Sequence, residues 1–200
     1  MPADPLTPAT FASPTETGGQ PMFLQPSEAA KAVQFMRESV GENRVTFLWA
    51  TGTLDSAHRE YKVPIDSTVQ RATFSLSTDT KGTSMTVLPP SGESVAPGGT
   101  GIEMTELNCG RIVTVDKPQA GEWQVTIRGS GTFWLEAQGK SEIFLSTVEF
   151  VRLGGRPGHE GLFRIPGQPI SGEPATLELN ISGPLATAAF ELVHRTSSSL

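Results

Sequence analysis

The run Val115-Asp116-Lys117-Pro118-Gln119-Ala120-Gly121-Glu122-Trp123-Gln124-Val125-Thr126-Ile127 decides the fold. Pro118 presets φ for the start of a turn, and Gly121 tolerates the positive φ that closes one. Beyond the glycine the pattern has period two. Trp123, Val125 and Ile127 project to one side of an extended chain, and Gln124 and Thr126 to the other. A turn feeding a half-buried strand is the repeating unit of an antiparallel β protein. Trp123 itself reads as a core side chain closing a sandwich, with stacking on a sugar as the functional alternative.

The same grammar continues on both sides. Arg44–Ala50, Glu60–Ile65, Val69–Ser77, Ser84–Leu88 and Arg111–Val115 read as strands upstream, and Thr132–Gln138 and Glu142–Leu153 downstream. Thr78–Gly82, Pro89–Gly92, Pro97–Gly101 and Gly129–Gly131 read as further turns between them. Short strands so punctuated predict a mainly β chain, a jelly-roll β-sandwich over residues 44–153. One helical pattern precedes it. Ala29, Ala32, Val33, Met36 and Val40 share a stripe, Ser27 offers an N-cap and Gly41 stands where a C′ glycine would. Residues 1–20 read as a disordered Pro/Thr-rich lead, and 21–43 as a strand (Pro21–Leu24) followed by the helix Ser27–Val40. Residues 154–172 read as a Gly/Pro linker. Residues 173–200 read as two strands, Ala175–Ile181 and Ala188–His194, that open an incomplete β domain.

Composition removes whole function classes. The 200 residues carry 21 acids against 15 Lys and Arg, a net charge of −6. A nucleic-acid binder needs a basic face instead. The single cysteine, Cys109, rules out an internal disulfide framework and a cysteine-based zinc cluster. It lies between Asn108 and Gly110 with no histidine nearby, as a small loop side chain does. No apolar run is long enough for a transmembrane helix, so no membrane insertion is expected. Met1–Gln20 has neither the basic nor the apolar segment of a signal peptide.

Catalytic patterns fail on inspection. His159-Glu160 begins like the zinc-protease motif, but Phe163 stands where the second histidine belongs. Gly129-Ser130-Gly131 lacks the earlier glycine of a nucleophile elbow, since position 128 is arginine, and reads as a hairpin turn. No catalytic residue is assigned and the chain is read as a non-enzyme. The binding candidates are Trp49, Trp123 and Trp134 for a ligand. Asp66, Asp79 and Asp116, at strand ends, are the candidates for calcium, the one cofactor left open. Asn180-Ile181-Ser182 is an N-glycosylation acceptor triplet.

Several of these stretches, in this order, resemble the hemicentin and von Willebrand factor A domain-containing protein 7 family. Thr17-Gly18-Gly19-Gln20 running into Met22-Phe23-Leu24, with the helix Ser27–Val40, resembles the end of an α/β A domain. Val63–Val69, Thr73–Ser77, Met85–Gly92, Val115–Ile127, Gly131–Phe133 and Gly139–Ser141 resemble a galactose-binding-like jelly-roll sandwich. Gly172–Thr176 through Ser182-Gly183 resembles the first strands of an immunoglobulin-like domain. The A domain's Asp-x-Ser-x-Ser metal motif is absent: neither Asp55-Ser56-Ala57 nor Asp66-Ser67-Thr68 matches it. The resemblance implies a non-catalytic, secreted or extracellular module acting in cell or matrix adhesion or protein–protein interaction, with extracellular proteins or glycans as partners. A carbohydrate- or calcium-binding lectin-like domain, or an accessory module of a secreted hydrolase, are the alternatives. A galactose-binding-like fold does not establish a sugar ligand.

Overall fold

The computed structural model describes residues 19–31, 33, 43–184 and 190. They divide into two compact units, the first ending at Lys140 and the second beginning at Ser141. Among the described residues nine strands carry the architecture: β1 (Arg44–Ile65), β2 (Arg71–Thr78), β3 (Ser84–Leu88), β4 (Ile102–Leu107), β5 (Gly110–Asp116), β6 (Gly121–Lys140), β7 (Phe144–Arg156), β8 (His159–Arg164) and β9 (Thr176–Ser182).

The first unit is organised by one long ribbon. β1 and β6 pair antiparallel from Arg44↔Lys140 to Ile65↔Gly121. The two halves of β6 take different partners on its other edge. Phe133–Lys140 pairs with β2, and Gln124–Arg128 pairs with β3. One layer is therefore the first half of β1, the second half of β6, then β2, β5 and β4. The other is the second half of β1, the first half of β6, and β3. All of these pairings are antiparallel, as a jelly-roll sandwich requires.

The ribbon turns the corner between layers at one place. β1 slips register between Asp55 and His58, where Ser56 has φ 68. Opposite it in β6 stand Gly129, Ser130 and Gly131, with φ 148 at Gly129 and 87 at Gly131. A Cβ on Gly131 would come within 2.3 Å of Asp79 Oδ1. The glycines read above as a hairpin turn are thus a bend inside a single strand. Both a turn and a corner need positive φ, so composition alone does not separate them.

The core lies between the layers. Trp123, Val125 and Ile127 are all buried on one face, as their alternation predicts, with Met85 and Val87 of β3 beside them. From the five-stranded layer Ala72, Phe74, Leu76, Val113, Val115, Phe133, Leu135 and Ala137 face inward. Phe74 and Trp123 stack across the layers with centroids 5.6 Å apart, and Tyr61 meets Phe133 at 6.3 Å. The Trp123 indole N–H donates to Gln119 O at 2.8 Å, so the turn before the strand satisfies the polar atom of its own tryptophan.

Several expectations need correction. β4 was not foreseen, although Ile102-Glu103-Met104 alternates; the Pro/Gly-rich turn before it masked the strand. The segment 154–172, expected to be a linker, carries the end of β7 and all of β8, paired from Val151↔Arg164 to Arg156↔His159. Its glycines serve close backbone approach. A Cβ on Gly155 would lie 2.2 Å from His159 O, and the Phe163 ring lies over Gly154. β7, expected to close the sandwich up to Leu153, joins β8 and β9 in a separate three-stranded sheet of the second unit. Pro21–Leu24 forms no strand. Pro26–Glu28 is a 3₁₀ turn running into helical residues from Ala29 to Lys31, and most of the expected helix lies outside the described residues. The lead 1–18 and the strand Ala188–His194 lie outside them too, apart from Phe190.

Candidate functional site

The site grows from the face of the five-stranded layer that points away from the core. Period two fixes its membership. Phe74 and Leu76 face inward, so Thr73, Ser75 and Ser77 face outward. Cross-strand pairing adds Gln138, Glu136 and Trp134 of β6 opposite them, and Thr114 of β5 opposite Thr73. β1 contributes Trp49 opposite Glu136 and Thr51 opposite Trp134. An outer sheet face is normally wet, yet Ser75 is fully buried, Ser77 is 1% exposed and Glu136 is 6% exposed.

A segment from Gln20 to Lys31 lies across this face. Pro21 and Pro26 lack the N–H a strand ladder needs, so it docks through side chains. The Gln20 amide donates to Ser75 O at 3.0 Å and Trp134 O at 2.8 Å. The Ser75 hydroxyl donates back to Gln20 Oε1 at 2.6 Å. The Phe23 ring packs on Trp134 at 5.5 Å, tilted by 37°. At the far end Glu28 accepts the Gln25 N–H at 2.9 Å and the Asn108 N–H at 2.7 Å. Lys31 Nζ donates to Glu106 O at 3.0 Å. The segment therefore runs from the β6–β2 pair to the β4–β5 turn.

The two carboxylates are tuned in opposite directions. Backbone hydrogen bonds from Gln25 and Asn108, outweighing burial and helped by Lys31, hold Glu28 below the ordinary carboxylate range. Burial pushes Glu136 up, against the Arg44 guanidinium, whose Nη2 donates to Glu136 Oε1 at 2.8 Å.

The residues singled out from sequence fall in separate places. Trp49 and Trp134 are half-buried and share the outer face. Trp123 is 2% exposed in the core, which leaves no ring face for a ligand. Asp66 accepts the Thr68 N–H and hydroxyl at 2.7 and 2.6 Å, Asp79 accepts the Thr132 N–H at 2.8 Å, and Asp116 faces Arg71 Nε at 3.4 Å. Among the described residues no three His, Cys, Asp or Glu side chains gather as a metal site would require. Asn180 is exposed on β9. Among the described residues no helix is long and apolar enough to cross a membrane. Sequence reasoning missed Gln20, Phe23, Glu28, Ser75 and Glu136. The signal for the face was present: after Arg71 at its start, β2 puts Thr73, Ser75 and Ser77, not charged residues, at its outward positions.

Residues 44–142 match the family model described as hemicentin galactose-binding domain-like. Human Hemicentin-1 is 26% identical over 184 residues, covering 92% of this chain and 3% of that protein. Mouse Hemicentin-1 is 26% identical over 188 residues, with the same shares. The chain thus spans about 3% of the length of these relatives. Among solved structures, Bacillus licheniformis lipase BlEst2 in propeptide form shows a likeness too slight to bear on fold or function. Its TM-score is 0.35, with 12% identity over 61% of this chain and 32% of that one. The matched span coincides with the ribbon-and-layer unit from Arg44 onward, so this β-sandwich is similar to the hemicentin galactose-binding-like domain.

Proposed function

We propose that this chain is a non-catalytic extracellular interaction module, acting in cell or matrix adhesion or in protein–protein interaction. The observation that carries this reading is the hemicentin-type match over residues 44–142. The segments before and after the sandwich are read as the end of an A domain (21–43) and the opening of an immunoglobulin-like domain (173–200). The partners are extracellular proteins. Solid-phase binding of the full chain to purified matrix proteins tests this: saturable binding is expected, and ester, peptide or glycoside hydrolysis above the blank would overturn it.

Extracellular placement makes a separate prediction. Expressed behind a signal peptide, the chain gains a glycan at Asn180, exposed on β9. An N-glycosidase should shift its mobility, and Asn180→Gln should abolish the shift.

A lectin-like reading draws on Trp49 and Trp134, half-buried on one face beside Glu136. It predicts a saturable change in tryptophan emission with galactose or calcium, lost in Trp49→Phe or Trp134→Phe.

A further inference from the structure

We propose that one face of the β7–β8 hairpin binds an acidic glycan, a sugar chain bearing sulfate or carboxylate groups. Arg152 and Arg156 hold the anionic groups, and Phe163 takes the face of a sugar ring. The proposal rests on the extracellular reading of the chain and gives its second unit a ligand.

Three observations carry it. First, register gathers these groups on one side. Arg152 lies opposite Phe163, Gly154 opposite Gly161 and Arg156 opposite His159. Residues two apart share a face, so the three rungs line one side of the hairpin, with the arginines about 13 Å apart along β7. β9 pairs with β7 only as far as Val151, so this stretch lies beyond it. Arg152, Arg156, His159 and Phe163 are all exposed.

Second, charge is sorted between the faces. The chain carries a net charge of −6, so no general attraction for a polyanion is expected. The three acids of β7, β8 and β9 (Glu149, Glu160 and Glu178) all lie on the opposite face, where Arg164 Nη1 meets Glu149 Oε1 at 3.5 Å. Among the described residues Arg152 and Arg156 make no ion pair. Two unopposed guanidinium forks suit sulfate or carboxylate oxygens.

Third, the middle rung is bare without a backbone reason. Gly155 and Gly158 have φ 115 and 83, whereas Gly154 and Gly161 are not among the positive-φ glycines. Within 4 Å, a Cβ on Gly154 or on Gly161 would meet only the Phe163 ring, no closer than 3.4 and 3.9 Å. Glycine weakens a strand interior, so the fold gains nothing from it at these two positions. The pair leaves a strip free of side chains beside an aromatic ring that is 49% exposed. A sugar ring stacked on Phe163 fits that strip, with its anionic groups within reach of the arginines.

Fluorescence anisotropy of the full chain with labelled heparin-derived and hyaluronan octasaccharides, at physiological salt, tests this. Saturable binding of at least one is expected, and which one binds separates sulfate from carboxylate. Arg152→Gln with Arg156→Gln should weaken binding by about ten-fold or more. Phe163→Leu, which keeps apolar bulk without an aromatic face, should weaken it by about five-fold. Lys81→Ala with Arg128→Ala, two exposed cations of the first unit, changes the net charge equally and should leave binding unaltered. Gly161→Val is the sharpest variant, because valine favours a strand. Hydrogen-exchange protection of the Val151 and Phe163 amides should hold or rise while binding falls several-fold. If Gly161→Val loses that protection, the arginine and Phe163 variants decide alone. No saturable binding of either octasaccharide overturns the proposal. So does equal affinity for polyglutamate of the same charge, preference for phosphatidylserine vesicles over both sugars, or unaltered affinity in the folded variants of the site. Matrix-protein binding is a separate readout, so either reading can fail while the other stands.

Discussion

The two faces of the five-stranded layer are built from the same strands and are both dry, but they stay dry for different reasons. Inward, Phe74, Leu76, Leu135 and Val113 exclude water by area alone. Apolar burial contributes roughly 25 cal/mol per Å² and makes no demand on direction. Outward, Ser75, Ser77, Thr114, Glu136 and Gln138 are buried too, but a polar atom taken from water stabilises nothing until it finds a partner. The inner face needs only a matching surface. The outer face needs particular partners, and residues 20–31 bring several of them. The inner face therefore carries the stability of the fold, and the outer one fixes where residues 20–31 lie.

The sharpest way to break this contrast is to open a cavity inside. Phe74 is fully buried and stacked on Trp123. Phe74→Ala should cost about 3–5 kcal/mol in chemical denaturation, with loss of the Trp123 near-UV signal. A loss below about 1 kcal/mol would mean that the layers do not pack as described. The corner that creates the two faces comes next. Gly131 has φ 87, and a Cβ there would lie 2.3 Å from Asp79 Oδ1. Gly131→Ala should destabilise by roughly 2 kcal/mol, from backbone strain and displacement of Asp79. Ala at exposed Gly98, where φ is 81 but nothing lies within 4 Å, pays only the backbone part and serves as the control.

On the outer face the effect should be smaller and coupled. Gln20→Ala removes three hydrogen bonds but no core area, for a loss of about 1–2 kcal/mol by denaturation. Ser75→Ala should cost a similar amount. The double variant should cost less than the sum, because both report one network. Strict additivity would show that the segment does not rest on Ser75.

The difference between the faces also explains what was legible in the sequence. The inner face announces itself, because period-two alternation in Thr73–Ser77 and Trp123–Ile127 is a local pattern. The strand content, the turn before Trp123 and its burial follow from neighbours within a few residues. The outer face depends on Gln20 meeting Ser75 and Trp134, 55 and 114 residues away, and no local pattern encodes that. Glycine misled twice for a related reason. At Gly129–Gly131 and at Gly154–Gly155 it serves a bend and a close strand approach, whereas composition suggested a turn and a linker. The residue states a backbone requirement without saying which long-range geometry imposes it.

The smallest expected effect is the most discriminating, because its sign separates the two outer-face carboxylates. Glu136 is raised by burial against the opposing pull of Arg44, so the folded state holds its proton more tightly than the unfolded chain does. Its contribution is favourable below the unfolded value of about 4.5 and is lost as pH rises through the higher folded value. Glu28 is lowered by the Gln25 and Asn108 N–H groups, so its contribution is present above about 4.5 and is lost as pH falls through the lower folded value. In a series of denaturation curves from pH 3 to 8, Glu136→Gln should gain stability relative to the unaltered chain as pH rises above about 4.5. Glu28→Gln should fall further behind as pH rises from about 3 to 4.5 and then stay level. If both differences ran the same way, Glu136 would be held by Arg44 more than it is penalised by burial. The outer face would then be fastened by charge as well as by hydrogen bonds.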